Sequence, residues 1–291
     1  MNTCSFKILV VASLIVTCQN AVAQDTSSAP ATSITWITDY NEAVAQAASA
    51  DRHIIAEFYT DWCKWCRVLE DSTFTDPQVI ALGSRFIFAR INAELDTATA
   101  RKFNISGYPT VILLEKAGNE VDRVLGYLPP GQFAQTMENY LVGIGTLWTL
   151  QKDNREKQNN PETIYAIAEK HIARGEFAEA RTQLQRVLSA DPKNESGWAD
   201  DAQFNLALLH RKERSWYKAV EAFRTVIEDY PESELAADAQ IYIAWLLAKA
   251  GDTKEALESY RKFLKEYSNS SEVGWVKEQI DILEQVSEDD S

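Results

Sequence analysis

The sequence predicts two units in series: an α/β unit whose mixed sheet is flanked by helices, then an all-α helical repeat. Three observations carry that prediction. Short runs rich in β-branched and aromatic residues alternate with helical stretches as far as about residue 142. Beyond Gly143-Ile144-Gly145 the strand pattern stops and helical periodicity runs on, punctuated by Gly175, Pro192, Pro231 and Gly251. Within that second half, alanines recur at matching offsets. A chain of 291 residues, 45% of them hydrophobic, is long enough to bury a core in each unit.

Residues 1–23 read as an export signal. Lys7 supplies the positive start, residues 8–18 an apolar stretch of 11, and Ala21-Val22-Ala23 a cleavage site before Gln24. Eleven apolar residues are too few to span a bilayer. The expected location is therefore exported, periplasmic or secreted; the alternative is a lipid anchor on Cys18, with residues 14–18 as the lipidation box. Residues 24–32 are polar and disorder-prone. The formal net charge of −14 is spread over both halves, so neither presents a basic face for nucleic acid or anionic lipid.

The first unit is expected at 33–142. Residues 34–37 form a short strand, Tyr40–Ala50 an alanine-rich helix and His53–Tyr59 a buried strand. A helix from Cys63 to about residue 72 turns Val68 and Leu69 inward. Residues 86–91 are the next strand, 97–103 a short helix and 110–115 another strand. Gly118-Asn119 turns the chain into a strand at 121–125, and Pro129-Pro130 opens a last helix through Leu141. Strands separated by helices and closed by a hairpin indicate a mixed sheet covered on both faces.

Past the signal only two cysteines remain, in Asp61-Trp62-Cys63-Lys64-Trp65-Cys66. A bridge between them closes too small a loop to staple a fold, so the pair reads as chemical. It falls where a strand gives way to a helix. The partial positive charge and free N–H groups of a helix N-terminus favour a thiolate at Cys63. Cys66, about one turn on, is placed to attack a mixed disulfide formed by Cys63. Lys64 adds a positive charge beside that thiolate, which favours the reduced form and makes the couple more oxidising; otherwise it is a solvated side chain. Trp62 and Trp65 pack around the site and offer apolar surface to substrates, or serve packing alone. Zinc needs about four ligands, and the three histidines, His53, His171 and His210, lie near no second cysteine pair. Arg67 after Cys66 rules out the haem-attachment motif.

The W-C-x-x-C at a strand-to-helix junction and the later Gly107-Tyr108-Pro109-Thr110 resemble thioredoxin over about residues 33–142. The resemblance implies a thioredoxin fold in which Pro109 is cis and faces the cysteines, with Tyr108 and Pro109 lining the edge that pairs with an extended substrate. It implies that Glu57, six residues before Cys63, is the buried carboxylate that assists proton transfer; the alternative is a strand-end carboxylate facing water. It also implies a Cys63–Cys66 disulfide as the redox group, with no cofactor or metal, and protein thiols and disulfides as partners. Residues 69–79, Leu69-Glu70-Asp71-Ser72-Thr73-Phe74-Thr75-Asp76-Pro77-Gln78-Val79, look most like the exported branch that includes the C-terminal domain of DsbD. That likeness implies a membrane electron donor.

Residues 143–160 read as a polar linker or helical connector. Across 161–268, Ala168, Ala207 and Ala244 are each followed twelve residues later by Ala180, Ala219 and Ala256. Leu184, Phe223 and Tyr260 come next, then Val187, Val226 and Phe263. Small residues let paired helices approach closely, and the large ones fill the groove between units. The pattern resembles three tetratricopeptide (TPR) repeats, with unit starts 39 and 37 residues apart and Arg214 standing where the other units have glycine. His171 and His210 take equivalent places, expected at a helix interface. Residues 269–291 supply a capping helix, with Trp275, Ile280 and Leu283 on its inner stripe, and an acidic tail. The resemblance implies a concave face that takes a protein or peptide ligand.

Two functions fit these residues. One is an exported thiol-disulfide oxidoreductase whose repeats recruit a partner or substrate; the other is a redox-inactive or redox-secondary chaperone or adaptor in which both units bind protein.

Overall fold

The computed structural model describes residues 32–156 and 160–289. The expected signal, Cys18 and most of the polar start lie outside the described residues. Five strands, β1 (Trp36–Ile37), β2 (His53–Tyr59), β3 (Phe86–Asn92), β4 (Thr110–Leu114) and β5 (Glu120–Leu125), form one sheet in the order β1-β3-β2-β4-β5. β1 and β2 run parallel to β3, while β4 pairs antiparallel with both β2 and β5. The residue alternation of a strand divides β2 between two cores. Ile54, Ala56 and Phe58 face a layer closed by α1 (Tyr40–Ala50) and by Phe103 after α4 (Thr97–Lys102). Ile55 faces the opposite layer, built from Leu69, Phe74, Val79, Phe133 and Met137. Each large side chain so buried contributes on the order of 2 kcal/mol.

The opposite layer departs from the sequence reading in two places. The cysteine-bearing helix is α-helical only over α2 (Lys64–Val68) and continues as a π-helical turn, Leu69–Thr73, where the Phe74 amide bonds to the Leu69 carbonyl at 3.1 Å. A further helix, α3 (Pro77–Ala81), follows; its N-cap is Asp76, whose side chain accepts the Gln78 amide, with Pro77 in the first turn. The strand expected at 34–37 is confined to β1. The last helix of the unit is α5 (Pro130–Leu141).

Of the two readings for 143–160, polar linker or helical connector, Leu147–Glu156 take the helical one as α6, which packs on α7 (Pro161–Ala173). Its polar composition left both readings open, because none of its side chains is buried and the neighbouring helix, not a hydrophobic stripe, holds it. The repeat pairs are α7 with α8 (Phe177–Ala190), α9 (Ala199–Lys212) with α10 (Trp216–Asp229), and α11 (Ala236–Ala250) with α12 (Thr253–Glu266). All twelve repeat positions read from the sequence are buried to within 1% of full burial. The capping helix, α13 (Val273–Asp289), buries Val276 and Ile280 and packs Leu283. Trp275 is not on that stripe. It is 37% exposed, because the i, i+4, i+7 face runs through Val276 and leaves its neighbour turned outward.

Candidate active site

β2 ends at Tyr59, and the turn that follows is held by the Cys63 amide on the Thr60 carbonyl at 3.2 Å. That turn makes Cys63 the N-cap of α2. Its Sγ accepts the Cys66 amide at 3.1 Å, and the two cysteines are joined in a disulfide, their Cα atoms 5.3 Å apart. Both are buried, at 5% and 1% exposure. The residues around them are open: Trp62 and Trp65 are 65% and 56% exposed, and Lys64 is exposed. Trp62 is fixed edge-on to Tyr108, with ring centroids 5.8 Å apart, and donates its indole N–H to Glu94 at 2.9 Å. Trp65 leans on Tyr127 at 6.0 Å.

The Tyr108-Pro109 peptide is cis. Its loop is anchored on both sides, by Thr110 Oγ1 donating to the Gly107 carbonyl and the Gly126 amide donating to the Pro109 carbonyl, each at 2.8 Å. The Trp62–Tyr108 contact brings this loop and the cysteine turn together.

Glu57 is fully buried, which removes the water-facing alternative. It shares the strand face of Ile55, on the layer to which Leu69 of the cysteine-bearing segment also belongs. Burial pushes its carboxyl up to about 7; the Arg90 charge pulls it down and the Glu70 charge pushes it up, and burial prevails. Arg90 Nε lies 2.9 Å from Glu57 Oε2, at an angle that makes no hydrogen bond, so the contact is a charge pair. The same guanidinium grips Glu70 through two hydrogen bonds of 2.7 and 2.8 Å and lies over the Tyr59 ring. The sequence reading missed this Glu57–Arg90–Glu70 chain. Its signal was the parallel register that sets Glu57 opposite Arg90, which no local pattern reveals. Among the described residues no cluster of three or more metal-ligating side chains occurs.

A family model of thioredoxin-like domains matches residues 40–141, and one of tetratricopeptide repeats matches 165–234 and 204–271. The thiol:disulfide interchange protein DsbD of Cronobacter sakazakii is 31% identical over 126 residues, 41% of this chain and 22% of that protein. Chloroplastic thioredoxin M4 of Arabidopsis thaliana is 30% identical over 120 residues, 41% of this chain and 60% of that protein. A solved thioredoxin from Thermus thermophilus is 28% identical, over 38% of this chain and 88% of that one, with a TM-score of 0.35. The chain spans about a fifth of the length of the DsbD relatives it matches. It therefore carries a thioredoxin-like domain, which holds the Cys63–Cys66 disulfide, followed by TPR repeats.

Proposed function

We propose that the chain is an exported thiol-disulfide oxidoreductase acting on protein partners, with the repeats recruiting the partner or substrate. The observation that carries the proposal is the Cys63–Cys66 disulfide at the start of α2, beside the cis Tyr108-Pro109 loop. In the reduced protein, the Cys63 thiolate is stabilised by the Cys66 amide and attacks one sulfur of a partner disulfide. A Cys63–partner bond forms and the other partner sulfur leaves as a thiolate. Cys66 gives its proton to Glu57 and attacks Cys63 Sγ. The internal disulfide re-forms, the partner's second thiolate leaves, and two electrons have passed to the partner. A carboxylate held near pH 7 can accept that proton and return it to solvent. Trp62, Trp65, Tyr108 and Pro109 supply the substrate-facing rim, and Lys64 tunes the couple.

Export is supported by the charge, apolar run and A-x-A site of residues 1–23. The likeness to DsbD supports a membrane electron donor and thus a reducing role. The equilibrium potential measured against glutathione tests that direction. The decisive test is insulin reduction with dithiothreitol as electron source. The unaltered protein accelerates precipitation and Cys63→Ser abolishes the acceleration. Equal rates from the two proteins, with equal suppression of aggregation of an unfolded client, assign the chaperone or adaptor reading instead.

A further inference from the structure

The first helices of the three units, α7, α9 and α11, line an inner face with two openings. The first, a cavity of about 520 Å³, lies between the thioredoxin-like domain and the array, walled by Leu125, Tyr140, Leu150, Glu169 and Asn205. Leu125 also closes over the substrate loop: a β-carbon on Gly107 would sit 3.0 Å from its Cδ1, two residues before the cis proline. Leu125 thus touches both the near end of the face and the loop that leads to the cis proline. The second cavity, about 330 Å³, lies at the far end among Arg211, Asp238, Tyr242, Trp245, Glu272 and Trp275. α9 links the two, giving Asn205 to one and Arg211 to the other.

The charges along this face are unbalanced. Glu169 lines the first cavity and couples to Asp201, one turn before Asn205; Asp238 couples to Glu272 in the second. Burial and the neighbouring carboxylate push Glu169 and Asp238 above the usual range. Asp201 reaches about 6 through burial and the charges of Asp200 and Glu234. The nearby cations are turned to other work. Lys170 faces Asp122 at 3.3 Å, Arg174 bonds Asp122 and Glu120, Arg211 lies 5.4 Å from the Tyr242 ring and Lys249 5.5 Å from that of Trp245. Among the described residues, Glu169, Asp201 and Asp238 have no ion-pair partner within 4.0 Å. What remains is a groove whose unpaired carboxylates suit the cationic heads of lysine and arginine, while the Tyr140, Tyr242 and Trp245 rings carry the chain's own Lys170, Arg211 and Lys249.

We propose that the inner face of the array, from Leu125 to Trp275, docks a lysine- and arginine-rich segment of the same polypeptide whose disulfide is exchanged at Cys63. The link to Cys63 rests on the redox reading above; the docking does not. Two fluorescein-labelled peptides test the docking, one alternating lysine with glycine and one alternating glutamate with glycine, each with a serine at its N-terminal end. Fluorescence anisotropy gives about tenfold tighter binding of the lysine peptide, a preference that collapses in high salt and in Glu169→Gln/Asp201→Asn/Asp238→Asn. The salt series uses the unaltered protein, so a misfolded variant leaves the test intact. Equal affinities, tighter binding of the glutamate peptide, or a preference that survives salt overturns the assignment.

The link is read with cysteine in place of that serine, capped as the thionitrobenzoate disulfide. The Cys63 thiolate of reduced Cys66→Ala attacks the peptide sulfur, a Cys63–peptide disulfide forms, and coloured thionitrobenzoate leaves. Faster release from the lysine peptide supports one polypeptide spanning groove and disulfide. Selective binding with equal release rates sinks that link. Selective binding with no release from either peptide sinks the redox reading and leaves the docking groove standing.

Discussion

At the scale of single residues, the site turns on Glu57. A carboxyl whose folded-state value stands at about 7 stays protonated in the folded protein where the unfolded chain has already released its proton. The stability associated with Glu57 is therefore fully present below about pH 4.5 and is lost as pH rises toward 7. Above that the loss is constant, on the order of 3 kcal/mol. Glu57→Gln removes the ionisation while keeping the shape. Urea unfolding at pH 5 and pH 8 should show a gain over the unaltered protein of about 1 kcal/mol or less at the first and of about 3 kcal/mol at the second. The same variant should slow the resolution of mixed disulfides by Cys66, read by quenching the exchange with acid. A gain equal at both pH values would mean that Glu57 is ionised throughout. The cysteine pair was legible from its spacing at a strand-to-helix junction, and the proline and this carboxylate through the thioredoxin resemblance that the W-C-x-x-C and Gly107-Tyr108-Pro109-Thr110 carry. Arg90 and Glu70 were not, since what joins them to Glu57 is strand register and a helical turn that widens into π geometry.

At the scale of elements, the repeat turns show how a local rule bends to packing. Gly175 and Gly251 close α7 and α11 at positive φ, where glycine carries no steric cost. Arg214 closes α9 at φ 56° with the same pair of bonds: its amide to the Arg211 carbonyl and the Ser215 amide to the His210 carbonyl, both 3.0 Å. The turn is conserved in geometry although the residue suited to it is missing. Buried neighbours such as Leu206, Ala207, Ala219 and Val220 hold the helix pair in place regardless. Arg214→Gly should therefore stabilise the protein by about 1 kcal/mol, measured as a rise in the urea midpoint at unchanged slope. No gain would mean that the arginine's lower unfolded-state entropy offsets the strain. The repeats were legible because their alanines and large partners recur with a period. α3 was not, having five residues, and α6 stayed between linker and helix, having no buried stripe. Short or polar helices are held by what they touch, which a one-dimensional pattern does not contain.

At the scale of the whole molecule, one buried side chain fixes how the two units meet. Asp122 on β5 is fully buried. Its Oδ1 accepts the Arg123 amide at 2.7 Å and the Arg174 guanidinium at 2.9 Å; its Oδ2 accepts the Leu147 amide at 2.7 Å and faces Lys170 Nζ at 3.3 Å. A single carboxylate thus ties the sheet to the start of α6 and the end of α7. Around it, Lys170 donates to the Tyr140 hydroxyl, Arg123 reaches the Ala173 carbonyl and Asn104 donates to the Arg174 carbonyl. Gly175 comes close enough to Asn104 and Ser106 that a β-carbon there would lie 3.0 and 3.3 Å from their nearest atoms. Because Ser106 leads into the cis Tyr108-Pro109 loop, the junction also sets where the array stands relative to the disulfide. Asp122→Ala leaves Arg174 and Lys170 buried without their shared counter-charge, a loss of about 3–5 kcal/mol. That loss falls on the junction, which the core of the first unit meets at Tyr140. The unaltered protein should unfold in urea as one transition by tryptophan fluorescence and by far-ultraviolet circular dichroism. Asp122→Ala should separate the two signals into distinct midpoints. A variant that still unfolds in one step, with only a lowered midpoint, would show that the cores and not this carboxylate bind the units together.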